Sequence, residues 1–154
     1  MLRLKRTDSK DSGFVDLVSQ LNRYLKTVDG EDHEFYMQYN GIDVLQNVIV
    51  AYLNEIPVGC GAFKPFDDKT VEIKRMFTLP DHRGQNIATQ ILSELEIWAS
   101  EVGYSSCVLE TGKRQVEAVK FYEKNKYKTI ENFGPYKGVK NSICFEKELS
   151  YEKR

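Results

Sequence analysis

The sequence predicts a mixed α/β fold, one sheet with helices packed on it. Three observations carry that expectation. Residues 47–53, 58–64 and 70–79 are strand-like runs joined by short turns at 54–57 and 67–69, which reads as an antiparallel meander. A long amphipathic helix from Ile87 then leads into a strand at 105–110. A strand, helix, strand order calls for a right-handed crossover and a parallel pair. Finally, 127–131 and 141–149 look like two closing strands.

The elements follow in order. Leu2 and Leu4 alternate with Arg3, Lys5 and Arg6, a short strand. Asp11 or Ser12 can cap a helix whose apolar positions, Phe14, Leu17, Val18, Leu21 and Leu25, recur at helical spacing to about Lys26. Residues 29–40 hold an acidic cluster (Asp29, Glu31, Asp32, Glu34) followed by Phe35, Tyr36 and Tyr39, read as a loop and short helix. The β-branched run NVIVAYL is a buried strand. Gly59 and Gly61 in the next strand suggest a bulge or a close backbone approach. Ile87, Ile91, Leu95, Trp98 and Val102 mark one face of the long helix, and Gly103 suits a left-handed C-terminal cap. Residues 115–124 read as another helix, which Asn125 can end in a left-handed conformation. The order is β-α-α-β-β-β-α-β-α-β-β. Residues 1–150 are expected to form one domain, with 151–154 frayed.

Composition narrows the function. The formal net charge of −1 over 154 residues gives no basic field for nucleic acid. No apolar run reaches membrane-spanning length, and the first residues lack a signal-peptide core. Cys60, Cys107 and Cys144 are odd in number and widely spaced, which argues against a disulfide framework and fits a reducing, cytoplasmic compartment. Neither they nor His33 and His82 have metal-ligand spacing, so no metal is expected. Cys107 and Cys144 read as packing residues, and no histidine lies near Cys60 in sequence to activate it. A homodimer is left open.

The turn PDHRGQN, between the third meander strand and the long helix, holds the chemistry-bearing pattern. It opens a helix whose first N–H groups have no partner inside the helix, and with the helix dipole they favour an anion such as phosphate. Gly84 allows close approach to the backbone, and Arg83 adds charge. The lysine and hydroxyl of a P-loop are missing, so a nucleotide-binding reading ranks low.

The stretch EIKRMFTLPDHRGQNIATQIL, with VLETGKRQVEAVKFYEKNKY downstream, resembles the GCN5-related N-acetyltransferase (GNAT) family, most closely over residues 47–127. Its [Arg/Gln]-x-x-Gly-x-[Gly/Ala] signature corresponds to Arg83-Gly84-Gln85-Asn86-Ile87-Ala88, with Asn86 where glycine is usual. Two further departures are Lys126, where glycine is common, and Gln115, where many members have asparagine. The resemblance implies the acyl-CoA N-acyltransferase fold: a mostly antiparallel sheet with one parallel strand pair that splays, and helices on both faces. It implies acetyl-CoA as cosubstrate. Backbone N–H groups from Gln85 to Thr89 would hold the pyrophosphate beside Arg83, Gly84, Asn86, Ile87 and Ala88. Met76, Phe77 and Thr78 would pair with the pantetheine arm, and Gln115 and Ala118 would face it. An unpaired strand edge suits an amide-bearing arm, and a nearby backbone N–H can steady an oxyanion.

Direct transfer to an amine needs a base, an oxyanion site and an acid for the thiolate. An ammonium with a pKa of roughly 10 costs about 4 kcal/mol to deprotonate at pH 7. The resemblance implies Glu72 as the base, with Glu110 as competitor, and Tyr122 as the acid; Tyr122 shares a helix face with Ala118. The expected acceptor is a small primary amine or amino-acid-like molecule, in a pocket walled by residues 29–40 and 133–140. The rival expectation is a non-catalytic acyl-CoA sensor or interaction module on the same fold.

Overall fold

A computed structural model of the chain describes residues 1–29 and 45–149. The expected short helix and acidic wall between 30 and 40, and the expected fraying at 151–154, lie outside the described residues. The elements are β1 (Leu2–Thr7), α1 (Ser12–Asp29), β2 (Asn47–Leu53), β3 (Ile56–Pro65), β4 (Thr70–Thr78), α2 (Ile87–Glu101), β5 (Ser106–Gly112), α3 (Val116–Lys124), β6 (Lys128–Ile130) and β7 (Ser142–Glu148), with 3-10 turns at Pro80–His82 and Gly134–Tyr136. The strands form one sheet in the order β1-β2-β3-β4-β5-β7-β6. The β1 to β4 neighbours are antiparallel, as are β5 with β7 and β7 with β6; β4 and β5 alone among the described neighbours run parallel.

Alternation along β2 shows why both faces need helices. Val48 and Val50 pack under α1 with Phe14, Leu17, Val18 and Leu21. Ile49 and Ala51 pack on the other face with Ile87, Ile91, Leu92 and Leu95 of α2. Removing those side chains from water supplies the main drive for this layering, at about 1.5–3 kcal/mol for each fully buried large apolar side chain. Asp11 is the cap of α1. Its Oδ1 accepts the N–H of Gly13 (2.9 Å) and of Phe14 (3.2 Å), and the Tyr52 hydroxyl donates to the same oxygen at 2.7 Å. Gly13 is needed there, because a Cβ would run into that hydroxyl.

Gly59 and Gly61 serve the close approach read from sequence. A Cβ on Gly59 would lie 3.0 Å from Ile91, and one on Gly61 2.9 Å from Leu95, so α2 rides directly on the β3 backbone. β3 also carries a bulge of its own against β2. Ala51 pairs with Gly59 and Tyr52 with Pro57, so Val58 is the extra residue. A second bulge falls on the opposite neighbour, β4. Cys60 pairs with Phe77 and Ala62 with Lys74, so β4 spends an extra residue there.

The two crossover helices end alike, and one ending corrects the expectation for Asn125. After α2, Gly103 takes φ 106° while the Tyr104 N–H donates to Ala99 O at 3.0 Å. After α3, the Tyr127 N–H donates to Tyr122 O at 3.0 Å, and the left-handed residue is Lys126 at φ 73°; Asn125 stays at φ −88°. The bond that reaches back five residues requires the left-handed residue one place later than Asn125. Asn125 helps by donating its side-chain amide to Phe121 O at 2.8 Å. Lys126→Gly therefore relieves a backbone cost and is expected to stabilise the protein by about 0.5–1 kcal/mol, read by urea unfolding. An unchanged or lower midpoint would count against this account.

Candidate active site

The sheet opens where β4 and β5 part. Their parallel register holds for Thr70 with Ser106, Val71 with Cys107 and Glu72 with Val108, and goes no further. β5 stays with β7 through Gly112. β4 bends away at its bulge, where Arg75 adopts φ 60°. A non-glycine residue in that region costs on the order of 1 kcal/mol, and the surroundings hold it there: the Cys60 thiol donates to Arg75 O at 3.3 Å, and Arg75 Nη1 donates to Asn22 Oδ1 at 2.8 Å. The result is a V with Glu72 at its apex.

One arm of the V leads to the turn before α2. After the 3-10 turn, Gly84 takes φ 81° and Asn86 φ 61°, ψ 17°. Asn86 thus fills the left-handed position where the family signature has glycine, and a short amide side chain tolerates it. The first bond of α2 runs from Gln90 N–H to Asn86 O at 3.1 Å, so the N–H groups of Ile87, Ala88 and Thr89 precede the helical ladder. Arg83 is exposed; its Nε donates to Thr78 O at 3.2 Å, and its guanidinium lies 5.5 Å from the centre of the Tyr24 ring.

A groove of about 480 Å³ joins these parts. Met76, Phe77 and Thr78 form one wall. Arg83, Gly84, Asn86, Ile87, Ala88 and Thr89 form its end, and Gln115, Ala118 and Tyr122 of α3 form the other wall. Of the residues expected to bind acetyl-CoA, Gln85 alone is not on the wall; it is exposed in the turn. Two buried polar atoms in this groove, Thr78 Oγ1 and His82 Nδ1, have no hydrogen-bond partner among the described residues. Buried groups of this kind want a partner, and a ligand rich in amides and phosphate oxygens supplies one. The residues present fit an acyl-CoA.

The apex of the V holds a smaller chamber of about 100 Å³. Glu72, Lys74, Arg75, Glu110 and Tyr136 face it, and it shares Met76, Gln115, Ala118 and Tyr122 with the groove. Glu72 is 7 % exposed, and Lys74 Nζ stands 3.5 Å from its Oε2. Tyr122 joins the two spaces. Its ring packs on Phe121, Tyr127 and Phe145 at 5.1, 5.7 and 6.0 Å between centroids. Burial, and then the Glu110 carboxylate, push its phenol well above the ordinary range, so it is a neutral donor at physiological pH.

The cysteines are poorly placed to act as nucleophiles. Burial pushes the Cys60 and Cys107 thiols up to about 12 and Cys144 to about 11, which removes thiolate at neutral pH. Among the described residues no group of three or more His, Cys, Asp or Glu is placed to hold a metal ion. No helix of the described residues is long and apolar enough to cross a membrane. Sequence reasoning did not single out Lys74 and Arg75 as facing the chamber. Of the strand TVEIKRMFT the sequence reading takes up Glu72 and residues 76–78, and only the paired glycines of β3 hinted at a bulge.

Comparisons agree with this geometry. The acetyltransferase (GNAT) family model matches residues 15–127. An IAA acetyltransferase of Azospirillum brasilense is 29% identical over 150 residues, covering 95% of this chain and 97% of its own. A crystal structure of a Klebsiella pneumoniae protein described as an acyl-CoA N-acyltransferase superposes with a TM-score of 0.81 at 27% identity, covering 97% of this chain and 99% of that one. The PaiA N-acetyltransferase of Thermoplasma acidophilum, solved with coenzyme A, shares the fold at a TM-score of 0.70 and 16% identity, covering 96% and 99% of the two chains. The splayed parallel pair, the turn that opens α2 and a family match across most of the chain lead to one assignment: this protein belongs to the GNAT family and is an N-acetyltransferase of that family.

Proposed function

We propose that the protein moves an acetyl group from acetyl-CoA directly to a small primary amine, with an amino-acid-like molecule as the acceptor class. The observation that carries this reading is Tyr122, the one phenol among the side chains shared by the cosubstrate groove and the ionisable chamber. Acetyl-CoA supplies an activated thioester when bound. Met76, Phe77 and Thr78 lie on a strand edge that β5 has left and would pair their backbone with the pantetheine arm, and the N–H groups of Ile87, Ala88 and Thr89 would hold the pyrophosphate with Arg83 beside them.

Glu72 is the proposed base, directly or through a water, with Glu110 as the second carboxylate of the chamber. The amine gives its proton to the carboxylate as its nitrogen bonds to the acetyl carbon. The carbon–sulfur bond then breaks, and the Tyr122 hydroxyl donates to the departing sulfur. The burial that disfavours a Tyr122 phenolate disfavours a bare thiolate at the same place, which keeps the two affinities for the proton close enough for transfer.

Two measurements test the reading. Acetyl-CoA at a hundred times its Kd stabilises a folded binder by about 2.7 kcal/mol, a rise in Tm of roughly 5–10 °C for a chain of this size. Thiol release with an amine panel then separates an enzyme from an acyl-CoA sensor. No shift at millimolar acetyl-CoA would sink the binding site, and a shift without thiol release on any amine would favour the sensor.

A further inference from the structure

Tyr122 is placed by its ring, and one of the rings packed on it is anchored at its far end. Phe121, Tyr127 and Phe145 pack on Tyr122. Of these three, Tyr127 alone has a polar end. It is buried, and it meets Tyr122 twice. The rings lie edge to face at 5.7 Å between centroids, and the Tyr127 N–H donates to Tyr122 O at 3.0 Å. The left-handed residue Lys126 makes that backbone bond possible. At the other end of the ring, the Tyr127 hydroxyl donates to Glu96 Oε2 at 2.9 Å.

Glu96 is 2% exposed, an unusual place for a carboxylate. Its other oxygen accepts Lys147 Nζ of β7 at 2.9 Å, and that ammonium stands 5.6 Å from the centre of the Tyr127 ring. A covered pair of this kind is poor evidence for stability. Desolvation offsets much of the attraction, and apolar side chains of the same volume often do as well. What the pair supplies is direction. A hydroxyl bonded to a charged acceptor holds its ring in one place, where packing alone would let the ring slide. The elements involved give this contact its reach. Glu96 lies on α2, whose first turn ends the groove, and Tyr127 lies just past α3, which carries Tyr122. One hydrogen bond thus links the helix at the cosubstrate groove to the neighbour of the proposed acid.

From this placement we propose that Tyr127 and Glu96 are positioning residues: their hydrogen bond fixes the Tyr122 ring relative to α2, and so fixes where its hydroxyl stands when the carbon–sulfur bond breaks. Neither residue lines the groove or the chamber, so both act through Tyr122. A misplacement on the order of 1 Å is enough to cost a reaction heavily. The inference rests on the reading of Tyr122 as the acid, and it can fail while that reading stands.

A double-mutant cycle tests this, read as kcat for thiol release on the best amine of the panel. Tyr127→Phe keeps the ring and removes its anchor. It is expected to lower kcat about tenfold beside Tyr122 but less than about twofold in the Tyr122→Phe background, with KM for acetyl-CoA changed by less than about threefold. A merely structural role predicts equal losses in the two backgrounds. Thermal melts show which variants are folded at the assay temperature. If Tyr127→Phe is not, Glu96→Gln takes its place. A neutral acceptor weakens the bond, and the expected loss is about threefold, again confined to the background that keeps Tyr122. A folded variant with wild-type kcat overturns the inference. So do equal losses in both backgrounds, or a loss confined to KM, and each of these leaves N-acetyl transfer standing. A Tyr122→Phe variant with kcat within about threefold of wild type brings down the acid assignment, and the positioning role with it. Binding of acetyl-CoA without thiol release on any amine brings down the enzyme reading and this inference together.

Discussion

Tyr122→Phe is expected to lower kcat for amine acetylation by about a hundredfold while KM for acetyl-CoA changes less than about threefold. The substitution removes one oxygen and keeps the ring that packs on Phe121, Tyr127 and Phe145, so the groove wall survives. What is lost is the donor at the junction of groove and chamber, needed only as the carbon–sulfur bond breaks. An interaction made only in the transition state appears in kcat and leaves ground-state binding alone. Turnover and acetyl-CoA titration on the same preparation check both halves. A kcat within threefold of wild type would remove Tyr122 from the mechanism.

The same side chain makes a second, independent statement about stability. Its folded pKa is raised by burial above the ordinary phenol value near 10, with the Glu110 charge adding to the effect. The stabilisation tied to the neutral phenol is therefore complete below pH 10. It is lost as pH rises, because the unfolded chain ionises first. Wild type should lose stability between pH 10 and 11 faster than Tyr122→Phe does. Urea midpoints at pH 8 and 11 show whether the burial is real even if the catalytic role fails.

The layered architecture was legible because its signals are local. Period-two alternation in residues 2–6, the β-branched NVIVAYL run and the 3.6-residue stripe of α2 each state what they bury. The turn before α2 was legible too, through Arg83, Gly84 and the helix that follows. Other features were hidden because distant packing decides them. Glu72 and Lys74 alternate as an exposed strand face would, yet α1 and the loop bearing Tyr136 cover them. Arg75 gives no sign of a left-handed backbone in sequence; the bulge exists because β4 must leave β5 while staying on β3. Lys126 takes the conformation that the helix-ending hydrogen bond demands, against its own preference. Local pattern thus left the bulge and the burial of Lys74 and Arg75 unread where the strand turns from scaffold to site, which is where structure commonly departs from local preference.

Gly61→Val is expected to destabilise the protein by about 3 kcal/mol, at the upper end of the usual overpacking range, and to raise KM for acetyl-CoA. At this position a Cβ would collide with Met76 Sδ and would stand 2.9 Å from Leu95 Cδ1 and 3.0 Å from Ile91 Cγ2. Leu95 and Ile91 have no accessible surface, so neither can swing into solvent to make room. Two more methyl groups leave α2 one response, to lift away from β3. That lift costs dispersion contacts across the core and loosens the helix whose first turn bounds the groove. Met76 is the one neighbour with freedom to move, and it lines both the groove and the chamber, so its displacement reaches the bound arm directly. Gly61→Ala should show the same pattern at smaller amplitude, since a single methyl can be met by rotation of the flexible Met76 side chain. Thermal melts place the expected loss at roughly 6–12 °C for valine. A valine variant that melts with wild type would mean α2 is not seated on β3 as closely as these distances require. A valine variant that melts low but binds acetyl-CoA normally would separate the packing of α2 from the shape of the groove.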